Sequence, residues 1–409
     1  MERNIIMKNC VTPNQTQRES DNLSIQAAIA LAKENGCNCV VFPSYNERTR
    51  ENKWVFEDTV YLPGDIEIII DDAHLVLADG IYANMFASDT LLEGKGRTKA
   101  DEIKNITVRG MGNAILDGGN YNGLSERNSA KDGRPHISKN TTMLFFNVSN
   151  LTVENISVIN QRWWGITNIF VHHAVYRNIN FAADYSRMDE NGVHHPDEFP
   201  KNYNEIYIKN ADGIDLRVGC HDFLIENITG FCEDDVIALT ALGKFETRLG
   251  YIVEGESPDI RDVKIKNINA NTACSVVRLL NDEGNKLYNI DVDGVMAAYD
   301  KRTSAAVKPI YTVRIGDMAY AKEHSSLGDT YSIKVRNVVV NTSCGINICK
   351  GLKDSLIENV IVTEGGQFGV AANSGGAQFD NCVIRNVVTA GSGSVAVKPG
   401  GYEGTLTIE

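Results

Sequence analysis

The sequence lacks any run of about 18 apolar residues, the length that a helix needs to cross a bilayer, so we expect no membrane partner. Its first fifteen residues, MERNIIMKNCVTPNQ, contain neither the apolar core nor the small-residue cleavage site of a secretory signal. Basic charge is also scarce, because 40 Lys and Arg stand against 53 Asp and Glu, for a net charge of −13. We therefore expect no nucleic-acid partner, which would need a basic face.

The nine cysteines show no metal-binding pattern. Cys37 and Cys39 are too close for a C-x-x-C pair, and no matching His or Cys pair follows them. Others, such as Cys274 and Cys344, lie among apolar neighbours. We expect buried, reduced thiols in a cytoplasmic protein, with no metal and no cofactor.

Helical periodicity is rare as well. The exception is the segment 21–36, where Ile25, Ala28, Ile29 and Ala32 recur at helical spacing. After it, short runs rich in β-branched residues take over, which predicts an all-β chain preceded by one helix.

An asparagine followed by Ile or Val recurs within these strand-like runs. The pairs begin at Asn105, Asn155, Asn178, Asn227, Asn267, Asn289, Asn337, Asn359 and Asn386. Successive steps are 50, 23, 49, 40, 22, 48, 22 and 27 residues, mostly near one or two units of roughly 23. Alternating residues around each asparagine indicate a strand with one buried face and a bend at the asparagine. Short strands at this period predict a parallel β-helix, in which each coil buries its face on the next.

This solenoid is expected to occupy residues 1–409 as a single domain, with helix 21–36 capping its open end. Segments 91–102, 118–139 and 184–204 interrupt the repeat. Insertions in a solenoid emerge as loops on one face, so we expect these three to wall a cleft. The C-terminal run has no capping helix, which is compatible with a homo-oligomer.

Two carboxylate blocks stand out in the stretch from Asn210 to Leu239. Asp212 and Asp215 form the first block, and Asp234 and Asp235 form the second, 22 residues after Asp212. Residues one coil apart stack about 4.8 Å from each other. The blocks should therefore lie on neighbouring coils at the same corner.

A group of close carboxylates can hold one member protonated and another ionised, because like charges raise the pKa of one of them. That is the requirement for general acid and base catalysis on a glycosidic bond. Two other interpretations stay open. Asp-Gly and Asp-Asp are common in solvated turns, and a stack of acids can hold Ca²⁺ through its oxygens.

The two blocks resemble glycoside hydrolase family 28, the polygalacturonase family. That family carries Asn-Thr-Asp-Gly-Ile/Phe-Asp and, about one coil later, Gly-Asp-Asp-Cys; this chain has Asn210-Ala-Asp-Gly-Ile-Asp215 and Glu233-Asp-Asp-Val. The resemblance implies a right-handed parallel β-helix of the pectin-lyase type. It also implies inverting hydrolysis, with Asp234 as general acid and Asp212 and Asp235 activating the water.

The chain departs from the family in two places, as a divergent member would. The Gly-His-Gly motif expected about 20 residues after the aspartate pair is missing from Gly250–Pro258. The Arg-Ile-Lys block reads Arg278-Leu-Leu280, which retains the arginine and loses the lysine. In the family these two cations are associated with the substrate carboxylate. A neutral sugar, or a uronate held differently, therefore becomes the better expectation.

Seven further residues are candidates for binding a saccharide. They are Asn210, Arg278, His194, His195, His221, Trp164 and Arg217. His194 and His195 could replace the missing family histidine, or they could belong to a solvated loop. His221 follows Cys220 and is expected at a coil corner one stack position from the acids. A two-His metal site is geometrically poor, because adjacent side chains in an extended chain point to opposite sides. Trp164 could offer a stacking face or pack in the core, and Arg217 could wall the cleft or pair with an acid.

The sequence therefore predicts a glycoside hydrolase that acts on a plant-type oligosaccharide by an inverting mechanism. A glycan transferase or polysaccharide lyase on the same fold is the first alternative. A β-helix that binds carbohydrate without catalysis is the second.

Overall fold

The chain is a right-handed parallel β-helix, which confirms the predicted all-β fold. The computed structural model describes residues 9–124, 137–281, 284–298, 311–316, 325–349, 351–372, 377–398 and 400–409. Two α-helices are present in these ranges, α1 (Asp21–Glu34) and α2 (Lys244–Leu249). Short 3-10 helices span Pro13–Thr16, Asp89–Leu91, Lys99–Asp101, Ile137–Lys139 and Tyr203–Glu205.

The strands are numbered β1 to β27 in chain order. They are Cys39–Pro43, Trp54–Phe56, Val60–Leu62, Ile66–Asp71, His74–Leu77, Phe86–Ser88, Ile103–Met111, Ile115–Asp117, Met143–Ile159, Ile166–Ala182, Arg187–Met188, His194–His195, Ile214–Leu216, His221–Cys232, Ile237–Ala241, Ile260–Thr272, Ser275–Asn281, Leu287–Ala297, Tyr311–Ile315, Thr330–Val340, Cys344–Ile348, Leu352–Lys353, Leu356–Val362, Phe368–Ala372, Gln378–Thr389, Val395–Lys398 and Glu403–Ile408.

Parallel pairing arranges these strands in three faces. The first face stacks β1, β4, β7, β9, β10, β14, β16, β18, β20, β23, β25 and β27. The second face stacks β2, β5 and β8 on the C-terminal parts of the long strands that begin with β9. The third face, called the cleft face below, stacks β3, β6, the start of β9 and of β10, β13, β15, β17, β19, β21, β24 and β26.

Helix α1 covers the N-terminal coil, as the sequence predicts. The Ser20 hydroxyl accepts a hydrogen bond from the Leu23 backbone N–H at 3.2 Å and caps the start of the helix. Ile25, Ala28 and Ala32 are fully buried in one core with the strands. The apolar stripe of the helix thus closes the end of the solenoid.

The residue after each bend fills the interior. Ile156, Ile179, Ile228, Ile268 and Val295 stand in register on successive strands, and each is at most 3% exposed. This row is the continuous core that coil stacking requires.

The repeated asparagines lie at bends with positive φ, between 52° and 60°. Asparagine tolerates this left-handed region better than most residues do. Their amides form a ladder: Asn178 Nδ2 donates to Asn155 Oδ1 at 2.8 Å, and Asn227 Nδ2 donates to Asn178 Oδ1 at 3.0 Å. The prediction that all nine asparagines mark one repeated position is wrong for two of them. Asn105 and Asn289 belong to a second row of bends, one corner away from the first.

One pair of cysteines contradicts the expectation of reduced thiols. Cys10 and Cys39 form a disulfide that ties the N-terminal segment to β1, while the other seven are thiols. Sequence spacing did not indicate this pair, because it forms only when Val11 returns to bridge Val40. Among the residues that the structure describes, no helix is both long and apolar enough to span a membrane.

The three predicted insertions are described to different extents. Segment 91–102 packs beside residues 250–256, where Lys99 pairs with Glu256 at 2.8 Å. Segment 184–204 contains the small antiparallel pair β11 and β12. Most of segment 118–139 lies outside the described residues.

Candidate active site

Neighbouring coils bring the two carboxylate blocks together on the cleft face. Ile214, Ile237 and Val277 stand in register inside β13, β15 and β17. The next position on each strand faces outward, and it places Asp215 in one row with Arg278. Two residues before Ile214 and Ile237, the same register places Asp212 beside Asp235. The Gly213 N–H donates to the Asp235 carbonyl at 2.9 Å.

Gly213 permits this close approach. A Cβ added there would lie 2.4 Å from the Val236 carbonyl oxygen, so no other residue fits without moving the backbone. The Asp-Gly pair, which the sequence also allowed as an ordinary turn, is thus a contact between coils. This contact lets Asp212 and Asp235, on neighbouring coils, lie at the same corner.

These residues form an open cleft, in which the space not filled by protein atoms, open solvent included, is about 370 Å³. It is lined by Trp164, Asn210, Asp212, Asp215, Arg217, Asp234, Asp235, Ala238, Thr240, Arg278 and Leu280. Seven of the ten predicted site residues are among them, namely Trp164, Asn210, Asp212, Arg217, Asp234, Asp235 and Arg278.

Burial of so many acids disturbs their ionisation. Asp212, Asp215 and Asp235 are 6%, 1% and 2% exposed, whereas Asp234 is half-buried. Burial raises the pKa of Asp212 well above its usual range, and the neighbouring acids, Asp215 first among them, raise it further. Burial also raises the pKa of Asp215, against the opposing charge of Arg217. Glu233, directly behind the cleft, has its pKa raised by burial and by Asp234.

Asp235 has the partners of an ionised carboxylate. One oxygen accepts a hydrogen bond from the Ser275 backbone N–H at 3.1 Å, and the other accepts one from Arg278 Nη1 at 3.0 Å. In contrast, Asp212 Oδ1 and Asp215 Oδ2 are buried and have no hydrogen-bond partner within the described part of the chain. A ligand hydroxyl or a water in the cleft could supply that partner.

Arg217 is held from behind by the helix α2. Its Nε donates to Glu246 Oε1 at 2.6 Å, and both side chains are almost fully buried. The guanidinium carbon lies 4.4 Å from the centroid of the Trp164 ring, which also stacks on Trp163 at 3.9 Å. Because Trp164 is 6% exposed, it offers little ring surface to a sugar and mainly packs against its neighbours.

Asp234, Asp235 and Cys274 each offer a ligand atom, and these atoms lie within 4.8 Å of one another. Two carboxylates and a thiol are a donor set that a divalent transition metal accepts. Burial, however, raises the pKa of the Cys274 thiol well above its usual range. A metal would have to displace that proton, since the thiolate is the ligand.

His194 and His195 do not line this cleft. They form β12, where the His194 ring stacks on Tyr207 with centroids 3.6 Å apart. His195 Nε2 lies 3.0 Å from Asp189 Oδ2. Their role at a more distant saccharide subsite stays a prediction.

His221 lies on a different face from the acids, which corrects its predicted place at their corner. It begins β14 on the first face, where its ring stacks on His172 with centroids 4.7 Å apart. Its Nδ1 lies 2.7 Å from Asp222 Oδ2. Nine residues of extended chain, about 30 Å, separate it from Asp212, enough to turn onto another face.

Sequence reasoning missed four residues that line the cleft, Asp215, Ala238, Thr240 and Leu280, and it missed Glu246, the partner of Arg217. Asp215 lay in the acidic block but was not selected as a site residue, although alternation along β13 places it outward. Glu246 gave no local signal, because its partner Arg217 is 29 residues away and α2 is only six residues long.

No protein-family model matches the chain, and no curated protein matches it in sequence. Among solved structures, it is similar to the polygalacturonase from Erwinia carotovora ssp. carotovora, with 14% identity, a TM-score of 0.56 and 94% of each chain covered. The A-module of a mannuronan C-5 epimerase from Azotobacter vinelandii has 11% identity and a TM-score of 0.52, with 98% of this chain and 99% of that one covered.

A tailspike protein of Escherichia coli bacteriophage HK620, solved with a hexasaccharide, has 12% identity and a TM-score of 0.56. The alignment covers 99% of this chain and 66% of the tailspike. The shared feature is the β-helix. At these identities the likeness establishes the fold and no activity.

Proposed function

We propose that this chain is a glycoside hydrolase that cleaves a glycosidic bond in a plant-type oligosaccharide by inverting general acid/base catalysis. The observation that carries the proposal is the cleft with four aspartates, in which Asp235 is paired with Arg278 and the pKa of Asp212 is raised. Carboxylates whose environments push their pKa values apart supply the acid and base that hydrolysis needs.

The roles follow from exposure and charge. Asp234, the least buried of the four aspartates, is placed to give a proton to the leaving oxygen. Asp235, paired with Arg278, orients the water. Asp212 is next to Asp235 in the coil register and activates the water together with it; its raised pKa makes it the stronger base once it is ionised.

Stereochemistry is the part of the proposal that rests on the family resemblance. The nearest carboxyl oxygens of Asp234 and Asp235 lie within 4.8 Å. That is closer to the separation of about 5–5.5 Å in retaining glycosidases than to the usual 6.5–9.5 Å or so in inverting ones. The anomer formed first therefore decides between the two courses.

The similar structures lend support through their names. One is a polygalacturonase, and another was solved with a hexasaccharide bound. A saccharide is accordingly the proposed partner of this cleft. Location in the cytoplasm and self-association through the C-terminal coil are separate proposals, to be checked by cell fractionation and by light scattering of the purified chain.

The test is a screen of α- and β-linked aryl glycosides and pectic oligosaccharides with the purified protein, followed by NMR of the first-formed anomer. We expect turnover of at least one glycoside and an inverted product. A retained anomer would overturn the inverting mechanism. If no glycoside is turned over but an oligosaccharide binds, the chain is a carbohydrate-binding β-helix.

The Asp234, Asp235 and Cys274 group favours one alternative, a metal-dependent polysaccharide lyase. A lyase eliminates instead of adding water, so its product carries a double bond that absorbs short-wavelength ultraviolet light. Absorbance of the product together with loss of activity in a chelator would identify that reaction.

A further inference from the structure

Among the residues that the structure describes, two cations line the cleft, and both are bound to carboxylates of the protein. Arg278 donates to Asp235 at 3.0 Å, and Arg217 donates to Glu246 at 2.6 Å. Four aspartates line the same space. The cleft therefore presents an excess of acidic groups, and each of its two positive charges is already matched by a negative one.

The Arg217–Glu246 pair is a built feature of the fold. Glu246 is 0% exposed and Arg217 is 4% exposed, so the pair is shielded from solvent. A short helix that begins after Gly243 and ends at Gly250, both at positive φ, brings Glu246 beneath the cleft. The chain continues into Tyr251, which packs on Phe146 with centroids 5.5 Å apart and anchors the helix to the coil.

This pairing decides which sugars the cleft can accept. A uronate would have to bring its carboxylate close to Asp212, Asp215 and Asp234 without meeting an unmatched cation on the described part of the chain. Desolvating that carboxylate and placing it near like charges both disfavour binding. An uncharged sugar avoids both costs, and its hydroxyls can donate to Asp212 Oδ1 and Asp215 Oδ2.

We propose that the cleft binds an uncharged saccharide and that Glu246 sets this selectivity by neutralising Arg217. The inference rests on the proposed function only for the cleft being a saccharide site. Arg314, in register with Arg278 on the following coil, is not among the residues that line the cleft, and it lies over Tyr311 instead. Glu246 acts through Arg217 and is therefore a positioning residue.

The experiment measures charge preference apart from turnover. Calorimetry with Asp234→Asn protein uses pairs of probes that differ in one carboxylate: galactose-, glucose- and mannose-based tetrasaccharides, and the corresponding uronate tetrasaccharides. For the pair that binds best, we expect the neutral member to bind about tenfold more tightly than the acid. That factor corresponds to a difference of about 1.4 kcal/mol in binding free energy, within the range of a single charge–charge interaction. An acid that binds as tightly as its neutral counterpart, or no binding in any pair, would overturn the inference.

The role of Glu246 is tested by the same ratio. Glu246→Gln should reduce the preference for the neutral member about fivefold, and Glu246→Asp should restore much of it. The matched control is Glu256→Gln, which removes a surface partner of Lys99 in the same segment and should leave the ratio unchanged. An unchanged ratio in folded Glu246→Gln protein would contradict the role of Glu246.

If Glu246→Gln protein does not fold, the probe pairs measured with Asp234→Asn protein that retains Glu246 still decide the substrate class. The two proposals fail separately. Absence of hydrolysis with intact neutral preference removes only the hydrolase, whereas hydrolysis of a tightly bound uronate removes only this inference.

Discussion

Two rows of charged residues use the same coil-to-coil stacking and have opposite character. On the first face, nine positions in strict register alternate in sign from coil to coil; we call them the charge ladder. Its members are Arg109, Glu154, Arg177, Glu226, Lys266, Asp293, Arg336, Glu358 and Arg385. On the cleft face, the acids of neighbouring coils stack with like charge, as Asp212 does with Asp235.

The surroundings of the two rows differ as well. Ladder side chains are half-buried or exposed, and several pair with the next coil, for example Arg177 with Glu154 at 3.2 Å and Arg385 with Glu358 at 2.7 Å. Exposed pairs of this kind contribute roughly 0–1 kcal/mol each. The cleft acids are buried, where like charges cost much more.

The charge ladder shows that stacked coils of this fold can place opposite charges next to each other throughout a row. It does so along nine coil positions of the ladder. The stacking of Asp212 on Asp235, an acid on an acid, is therefore not a requirement of the fold. Buried, destabilising carboxylates at one corner are the pattern expected of a site kept for chemistry.

The largest contrast should appear in turnover. Asp234→Asn should lower kcat by about 10²–10⁴-fold on the substrate found by the glycoside screen, because it removes the proposed proton donor. Glu226→Gln, which removes a ladder acid, should leave kcat unchanged within twofold. Full activity in Asp234→Asn would sink the acid assignment and with it the functional half of the comparison.

Whereas removal of a cleft acid should lower activity, removal of the Asp212 charge should raise the free energy of unfolding. The folded-state pKa of Asp212 is raised, so the folded chain holds its proton more tightly than the unfolded chain does. Its stabilising contribution is present below the unfolded pKa of about 4 and is lost as pH rises through the folded pKa. Asp212→Asn should thus be more stable than wild type at pH 8, by about 1–2 kcal/mol, with the gain vanishing towards pH 4.

Urea unfolding of both proteins at pH 4, 6 and 8 checks this sign. A gain that grows on acidification, or a variant less stable than wild type at pH 8, would mean that Asp212 is not under charge strain. Glu226→Gln serves as the comparison, since it removes an acid flanked by cations and should give no gain at pH 8.

A like charge introduced into the ladder should have a smaller effect. Glu226→Lys would put a cation between Arg177 and Lys266, which neighbour it in register. We expect a loss of about 0.5–1.5 kcal/mol in the free energy of unfolding, reduced by half or more in 1 M NaCl, where the screening length is about 3 Å. A loss that is insensitive to salt would show that packing, not charge alternation, holds this row.

The smallest effect is expected from removal of metal. Dialysis against EDTA should change kcat by less than twofold, because the proposed acid and base are carboxylates that act without an ion. Turnover before and after dialysis, and after adding back Ca²⁺, Mn²⁺ or Zn²⁺, measures this. A loss that one of these ions restores would favour a metal at Asp234, Asp235 and Cys274 over the proposed hydrolysis.

The fold could be predicted because its signals are local. An asparagine at a left-handed bend followed by a buried Ile or Val marks each coil within a few residues, as at Asn155 and Asn178. The meeting of Asp212 with Asp235 followed from the same period. Predictions that needed only the coil length were confirmed.

What the sequence did not reveal depends on register or on irregular segments. The charge ladder is hidden because Arg177 and Glu226 are 49 residues apart, and only strand pairing shows that they are neighbours. Glu246 reaches Arg217 from a helix inside a β-structure. His221 was misplaced because closeness along an extended chain was taken as closeness in space.

The asparagine ladder shows that the distance between neighbouring coils does not depend on the number of residues in a coil. The amide hydrogen bond that Asn178 donates to Asn155 joins residues 23 apart, and the one that Asn227 donates to Asn178 joins residues 49 apart, yet their lengths differ by only 0.2 Å, at 2.8 and 3.0 Å. All the additional chain emerges elsewhere in the turn. The coil-to-coil distance is thus fixed by the stacked strands. Segments beside the cleft can be lengthened or exchanged to suit another saccharide while the carboxylates keep their spacing.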